Sequence, residues 1–196
     1  MRVQAILAVV VASSAVSCSS IIDPVAGTHR GSALTASQSS QSLSNQHGFW
    51  RGEGVSGSPR IKISLSEQNA YFFKGDQLVG LSPVATGRPG HRTPTGSYRI
   101  SQKILHHRSH AYGSFVDQSG NVVKTGVDVR SDKAPPGTRF EAAPMPYFLR
   151  FNNRIGMHAG PLPGYPASAG CVRLPDHLAA HFYHNSSHGT PVVVVQ

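Results

Sequence analysis

The sequence of 196 residues contains no long apolar run, no cluster of lysine and arginine, and no internal repeat. Its mostly apolar N-terminal stretch, residues 3–11, is too short to span a bilayer comfortably. The formal net charge is +9, but the basic residues are scattered, which does not favour nucleic-acid binding. Such a charge suits an acidic polymer or a membrane surface, or serves only solubility.

The first residues have the organisation of a secretory signal. A short positive region, Met1 and Arg2, precedes the apolar stretch, and small residues follow it. The segment Ala15-Val16-Ser17-Cys18 resembles the lipobox of bacterial lipoproteins, in which the cysteine is lipidated. We therefore predict a signal peptide over residues 1–17, a lipid anchor on Cys18, and an exported, periplasmic protein held at a membrane. The alternative is an ordinary signal peptide followed by a chance cysteine.

The next stretch differs in composition from the rest of the chain. Residues 19–47 are rich in Ser, Gln, Ala and Thr and contain neither an apolar period nor an aromatic side chain. We assign residues 18–57 to a flexible tether and residues 58–196 to one folded domain. Trp50, near the boundary, has no explanation in this scheme.

Alternation of apolar and polar residues predicts that the domain is mainly β. Residues 61–65 alternate as in a half-buried strand, and residues 70–79 suggest a hairpin around a Gly-Asp turn. One helix is predicted from Pro175 to about His184, with proline at its first position. The pattern indicates a sandwich or barrel with one short helix. Further candidate strands cover residues 81–86, 97–101, 115–117, 121–123, 147–151 and 192–195.

Cysteine is scarce, with only Cys18 and Cys171 in the chain. If Cys18 is lipidated or removed, Cys171 has no partner in the mature chain. A single thiol in an exported protein is either a buried structural group or a nucleophile. The Gly/Pro-rich loop before Cys171 favours the nucleophile, because such loops rarely bury a thiol for packing.

Residues 155–174 contain the groups that could activate this thiol. His158 precedes Cys171 by a loop long enough to fold back and bring imidazole and thiol together. An imidazole can take the thiol proton, and Arg173 and the following helix N-terminus add positive potential. Gly170 lets the backbone approach a substrate closely, as an oxyanion hole requires. The segment therefore predicts acyl transfer by a cysteine nucleophile.

This segment resembles the YkuD-type L,D-transpeptidases, whose signature is a His-Gly or His-Ala-Gly element followed by Ser-His-Gly-Cys-x-Arg. The matching residues are His158-Ala159-Gly160 and Ser168-Ala169-Gly170-Cys171-Val172-Arg173. The sequence departs from the signature at Ala169, where the family usually has histidine. The resemblance covers most of residues 60–196 and includes Thr86-Gly87, Thr93-Pro94-Thr95-Gly96-Ser97-Tyr98, residues 143–148 and Gly189-Thr190-Pro191-Val192.

The resemblance implies that Cys171 attacks the carbonyl between the third residue of a peptidoglycan tetrapeptide stem and the terminal D-Ala. D-Ala leaves, a thioester forms, and an amine then resolves the thioester. His158 corresponds to the general base, and Gly170 and Cys171 correspond to the backbone oxyanion donors. Ser168 is the first residue of the signature, and Arg173 organises the loop or binds a carboxylate.

Peptidoglycan stem peptides are therefore the expected partner of a catalytic domain at residues 58–196. No metal or organic cofactor is expected, because thiolate, imidazole and backbone donors suffice. Four residues near the motif or the expected cleft are candidate substrate contacts: Tyr112, Tyr147, Met157 and Ala159.

Two other functions stay open at this point. With water as the acceptor, the same chemistry would give an L,D-carboxypeptidase or an amidase that cuts links between wall and protein. A non-catalytic wall-binding lipoprotein is the other alternative, although binding requires neither His158 nor Cys171. The oligomeric state is not predicted.

Two groups of histidines have spacings that could suit a metal. The first accompanies no carboxylate or cysteine, so a polar loop is the favoured interpretation. The second recurs at helical spacing, which is more typical of a solvated helix surface. The groups are His106, His107 and His110, and then His177, His181, His184 and His188.

Overall fold

The computed structural model of the protein describes residues 47–196. The predicted signal peptide, the lipidation of Cys18 and the tether up to residue 46 lie outside the described residues. The described part is mainly β, as the sequence predicts, and its one helix of several turns is α1 (Asp176–Asn185). The strands are β1 (Phe49–Trp50), β2 (Pro59–Ser64), β3 (Asn69–Lys74), β4 (Gln77–Pro83), β5 (Gly96–Arg99), β6 (Gln102–Val116), β7 (Val122–Asp128), β8 (Arg139–Asn152), β9 (Ile155–Ala159), β10 (Val172–Leu174) and β11 (Pro191–Val195).

The first sheet has six strands in the order β1-β4-β3-β2-β11-β5. Strands β2, β3 and β4 form an antiparallel meander, and β11 pairs in parallel with β2 and antiparallel with β5. Pro191 occupies the first position of β11, where a residue without a backbone N–H is tolerated. Val192 and Val194 are buried because alternate residues of a strand share one face. The last strand of the chain is therefore an interior strand of this sheet.

The second sheet has five strands in the order β10-β9-β8-β6-β7. Its centre is the antiparallel pair of β6 and β8, which contain 15 and 14 residues. The chain turns from β8 into β9 at Asn153, which has a φ of 38°. Strand β10 pairs in parallel with β9, and parallel neighbours require a crossover connection. Residues 160–171 form this connection and carry most of the signature.

The hydrophobic core lies between the two sheets, so the fold is a sandwich. The first sheet contributes Ile61, Ile63 and Phe72 among others, and the second contributes Leu149 and Met157. One face of each sheet is thus buried against the other sheet, as in other sandwiches.

The helix α1 closes one end of this core. It begins after Pro175, whose φ of −58° suits a helix start, and Asp176 places a negative charge in the first turn. Leu178, Ala179 and Phe182 are its buried residues, at the spacing that puts side chains on one face. The predicted helix is therefore present with its boundaries shifted by one residue.

The structure differs from the sequence-based expectations in several places. The interpretation of residues 106–110 as a polar loop is wrong, because they lie within β6. The predicted strand 81–86 is instead the end of β4, followed by an isolated bridge between Ala85 and Arg173. Strand β1 pairs with β4 although it lies in the range assigned to the tether. No helix in residues 47–196 has the length and apolar character needed to cross a membrane.

Candidate active site

The register of β9 and β10 places the signature residues on one face of the second sheet. Met157 is opposite Val172, and both belong to the hydrophobic core. His158 is opposite Arg173, and their side chains therefore lie on the other face, away from the core. Cys171 precedes β10 and lies two residues before Arg173, so it belongs to the same face as His158. The backbone N–H of Gly156, two residues before His158 on β9, hydrogen-bonds to Cys171, which places the predicted nucleophile beside the strand that carries the predicted base.

The imidazole of His158 is held in one tautomer. Its Nδ1 lies 2.8 Å from the carbonyl oxygen of Ala159, and a carbonyl oxygen can only accept a hydrogen bond. Nδ1 therefore carries the proton of the neutral ring, and Nε2 has a free lone pair. The pKa of His158 is lowered to about 4, with burial as the largest cause; the hydrogen bond to Ala159 acts in the opposite direction, and the charges of Arg173 and His107 add to the lowering. The ring is neutral at pH 7.

The thiol of Cys171 is partly buried and is the free thiol of the described residues. Burial raises its pKa above the ordinary value, because the thiolate loses hydration. The backbone N–H of Gly156 acts in the opposite direction, followed by the charges of Arg150 and Arg173. The resting site therefore contains a neutral thiol beside a neutral imidazole, and proton transfer must accompany attack.

Two hydroxyl groups hold the nucleophile loop in place. Ser168 is buried, and its Oγ donates to the carbonyl oxygen of Cys171 and accepts from the backbone N–H of Gly170 at 3.0 Å. Thr93 Oγ1 donates to the carbonyl oxygen of Gly170 at 2.8 Å and accepts from the N–H of Gly87 at 3.0 Å. The turn before the nucleophile is thus fixed from both sides.

This arrangement changes the role expected of Gly170. Its φ of +118° lies in a region that side chains rarely adopt, so glycine is required for the turn. Its N–H is bonded to Ser168 and is therefore not directed at a substrate oxyanion, contrary to the sequence-based expectation. Gly170 and Cys171 are the two predicted oxyanion donors. Of their two backbone N–H groups, that of Cys171 is the one that is not bonded to Ser168.

Comparison with known proteins agrees with this geometry. The L,D-transpeptidase catalytic domain model of the YkuD family matches residues 58–194. The chain belongs to this family. The family predicted from the signature is thereby confirmed, and no curated protein matches the chain.

Solved L,D-transpeptidase structures share the fold of this YkuD-type domain. One from Mycobacterium smegmatis has a TM-score of 0.53 at 17% identity, over 71% of this chain and 59% of that chain. One from Stackebrandtia nassauensis has a TM-score of 0.52 at 19% identity, over 72% and 57%. A mutant L,D-transpeptidase from Enterococcus faecium has a TM-score of 0.51 at 16% identity, over 71% of this chain and 50% of that chain. The alignments thus span less than two thirds of each of those chains.

Two candidate substrate contacts of the YkuD-type domain lie in the core. Met157 and Ala159 are each 1% exposed and belong to the face of β9 opposite His158. Their side chains therefore pack inside the sandwich, and the structure does not bring them to the site.

The other two candidate contacts lie outside the core. Tyr147 has a φ of 58° and packs edge-to-face on Tyr183 of α1, with ring centroids 5.9 Å apart. Tyr112 accepts a hydrogen bond of 2.8 Å from Arg130, which also binds Asp128. Asp128 interacts electrostatically with His91. His91 in turn lies beside Gly170, because its carbonyl oxygen is 3.7 Å from the position that a Cβ on Gly170 would occupy. Tyr112 thus belongs to a polar cluster beside the nucleophile loop.

An aromatic wall covers His158 on the site face. Phe148 is 1% exposed, and its ring centroid is 6.2 Å from that of His158 and 4.3 Å from that of His107. His107 in turn lies 5.7 Å from His110 between ring centroids. Within residues 47–196 no three or more His, Cys, Asp or Glu side chains are grouped so that they could hold a metal ion.

Thr93 and Arg150 have no predicted role, and the structure brings both to the site. Thr93 is part of the Thr-Pro-Thr-Gly segment that matches the family, so its position carried a signal. Arg150 is the one charged residue among residues 147–151, an otherwise apolar run predicted as a strand. A lone charge in such a run is the signal that could have identified it.

Proposed function

We propose that this chain is a cysteine-dependent peptidoglycan L,D-transpeptidase. The observation that carries the proposal is the shared face of His158 and Cys171, with Nε2 of the imidazole unprotonated and Nδ1 bonded to Ala159. A nucleophile beside an oriented base is the arrangement that acyl transfer requires. Family membership supports the same chemistry, and the stem peptide is the substrate that it suggests.

The first half-reaction forms a thioester and releases D-Ala. As Sγ of Cys171 attacks the carbonyl carbon of the L,D bond, its proton passes to Nε2 of His158. The N–H of Cys171 stabilises the developing oxyanion. When the tetrahedral intermediate collapses, the C–N bond breaks and the imidazolium gives its proton to the departing amine. His158 returns to the neutral state.

The second half-reaction transfers the acyl group to an acceptor. Nε2 takes a proton from the attacking amine, the new amide bond forms, and the thioester C–S bond breaks. The proton then returns to Sγ, which restores the thiol. Water attacking the same thioester would give hydrolysis instead, so the acceptor decides between transpeptidase and carboxypeptidase or amidase.

The site of action is proposed from the N-terminal sequence. The signal peptide and the lipobox-like segment before Cys18 favour a lipid-anchored protein of the periplasm, where peptidoglycan is accessible. Metabolic labelling with a fatty-acid analogue should mark the wild-type chain and not Cys18→Ala. Equal labelling of both chains would remove the anchor from the proposal.

The decisive experiment gives tetrapeptide muropeptides to the purified chain and identifies the products by mass spectrometry. Dimers formed with loss of D-Ala indicate transpeptidation, whereas tripeptide monomers indicate hydrolysis. A carbapenem should also form an adduct at Cys171, since one solved L,D-transpeptidase of this fold was determined in complex with imipenem. With neither products nor adduct, the catalytic proposal fails.

Cys171→Ala is the matched variant for this assay. It should abolish product formation while the thermal unfolding temperature stays close to that of the wild type, because the thiol is only partly buried. Product formation at the wild-type rate would exclude Cys171 as the nucleophile.

A further inference from the structure

Arg150 occupies an unusual position in β8. Its neighbours Leu149 and Phe151 point into the core, and Phe148 is buried on the site face. Arg150 itself is half-buried, and the hydrogen bonds of its guanidinium are exposed. A charged residue in an otherwise apolar stretch of the strand calls for an account of what it does.

Strand register places Arg150 in one row with the nucleophile. Arg150 on β8 is opposite Gly156 on β9, and Gly156 comes just before Met157, the partner of Val172. The position opposite Gly156 on the β10 side is therefore that of Cys171. Arg150 on β8, Gly156 on β9 and Cys171, which immediately precedes β10, thus follow one another in one row on the face that carries His158.

Gly156 is the middle residue of this row and contributes no side chain of its own. A Cβ at this position would lie 2.6 Å from the carbonyl oxygen of Leu149 and 2.7 Å from the ring of Phe148, so only glycine fits. The row therefore has a charge at one end and a thiol at the other, with the ring of Phe148 packed over the glycine between them.

The guanidinium is held by neutral partners. Its Nε donates to Oε1 of Gln102 at 2.8 Å, and its Nη1 donates to the carbonyl oxygen of Asn153 at 2.6 Å. The group also lies 5.1 Å from the centroid of the Phe148 ring. The ion pairs found in residues 47–196 do not include Arg150. Its orientation is thus fixed while its charge is not compensated by a carboxylate.

We propose that Arg150 is a positioning residue that stabilises the thiolate of Cys171 as it forms during attack. The proposal rests on the row geometry and the neutral anchors, and it deepens the proposed function by naming the fixed charge that acts on the nucleophile. The family signature places its histidine before Gly-Cys, and this chain has Ala169 there. A fixed cation on β8 supplies positive potential that no side chain at residue 169 provides.

The electrostatics of the site agree with this role. After burial and the Gly156 N–H, the charge of Arg150 is the next largest influence on the pKa of Cys171, ahead of Arg173, and both charges lower it. The titratable and charged groups on the elements around the thiol are His91, Arg88, His107, Arg150, His158 and Arg173.

The test measures thiol ionisation without any substrate. The mature full-length chain with Cys18→Ala has Cys171 as its only thiol, so the rate of its alkylation by neutral iodoacetamide against pH reports the thiolate. Arg150→Gln removes a charge that favours the thiolate, so the midpoint of the profile should move upward by about one pH unit. Below the midpoint, alkylation should then be about tenfold slower than in the parent chain.

Two further variants separate charge from structure. Arg150→Lys keeps the charge and should keep the midpoint within a few tenths of a unit, whereas a merely structural role would not distinguish Lys from Gln. Arg139→Gln removes an exposed arginine at the start of the same strand and should leave the midpoint unchanged. If Arg150→Gln does not fold, Gln102→Ala frees one anchor and should raise the midpoint by a smaller amount.

The result that overturns the proposal is an unchanged midpoint in Arg150→Gln, or in Gln102→Ala where only that variant folds. A rise in KM with an unchanged midpoint would assign Arg150 to substrate binding and also overturn it. Because alkylation requires no muropeptide, a shifted midpoint in a chain without transpeptidase activity would leave this inference standing while the proposed function fails.

Discussion

At His158, burial and hydrogen bonding act in opposite directions on the pKa of one imidazole. Burial dominates and lowers the pKa to about 4, while the bond from Nδ1 to Ala159 fixes which nitrogen is free. At Cys171, burial raises the pKa of the thiol. Both shifts favour the neutral forms. The thiol and the imidazole therefore do not form an ion pair at rest, and the proton moves during attack.

The free energy of unfolding should depend on pH because His158 is buried in its neutral form. Because the folded pKa of His158 is about 4 and the ordinary value is 6.5, the unfolded chain binds more protons between these values. The free energy of unfolding is therefore unaffected by this group above pH 6.5 and decreases as the pH falls toward 4. At pH 4.5 the loss relative to pH 7.5 should be about 2 to 3 kcal/mol from this group.

Urea unfolding of the wild type and His158→Gln at the two pH values measures this difference. The variant lacks the titrating ring, so its loss of unfolding free energy on acidification should be smaller by the stated amount. An equal loss in both chains would mean that His158 titrates normally in the folded state.

A second prediction at this scale concerns Ser168. Ser168→Ala leaves the carbonyl oxygen of Cys171 and the N–H of Gly170 without their hydroxyl partner in a buried loop. The unfolding free energy should fall by about 1 to 3 kcal/mol, and turnover should fall at least tenfold because the nucleophile turn loosens. Thermal unfolding and the muropeptide assay measure the two effects. Ser119→Ala, in an exposed turn, is the control and should change neither.

Much of the site could be predicted from the sequence at this scale, but only where its residues are close along the chain. His158, Cys171 and Arg173 lie in one continuous segment whose composition and signature identify them. Arg150 and Thr93 could not be identified in the same way, because sheet register and a loop contact bring them to the nucleophile. Met157 is not a substrate contact, because it alternates with His158 along β9 and its side chain packs in the core.

The strand β1 is not predicted by any pattern in the sequence, but its Trp50 makes specific aromatic contacts. Trp50 stacks on His181 of α1 with ring centroids 4.9 Å apart and an interplanar angle of 12°, and it meets Phe72 edge-to-face at 5.2 Å. It therefore links β1 to the helix that follows the nucleophile. This packing supplies the role that the sequence alone did not give to Trp50.

Trp50→Ala should lower the unfolding free energy by about 3 kcal/mol, because it removes a large aromatic side chain packed against a strand and a helix. Urea or thermal unfolding measures the effect. Tyr165→Ala is a suitable comparison because Tyr165 is 61% exposed, and it should leave stability unchanged. Equal stability of the Trp50 variant and the wild type would show that β1 does not contribute to the folded domain.

The strands that the sequence predicted best are those with one buried face. Residues of β2, β3 and β11 alternate between core and solvent, which produces the pattern that was recognised. Most of β6 was missed because its residues are polar and only partly buried until Phe115. Its strand conformation depends on ten paired positions with β8, a tertiary interaction that local sequence does not encode.

For the whole molecule, the excess of 18 Lys and Arg over nine Asp and Glu is the dominant electrostatic feature. If the substrate polymer is anionic, the mature chain should bind isolated sacculi at low salt. Binding should decline steeply toward 0.5 M NaCl, where the screening length is only about 4 Å. Co-sedimentation at increasing salt measures this. Chitin, an uncharged polysaccharide, is the control, and equal retention on both polymers would show that charge does not guide binding.

The crossover between β9 and β10 is anchored at both ends. The N–H of Gly160 bonds to the carbonyl oxygen of Leu174, and the N–H of Ala167 bonds to that of Thr86, each at 3.0 Å. The six residues between them, 161–166, include three prolines. We expect insertions in this segment to leave the base and the nucleophile in place, because these hydrogen bonds hold the chain on either side of it. For protein engineering, this makes residues 161–166 a candidate insertion point for a grafted peptide or reporter.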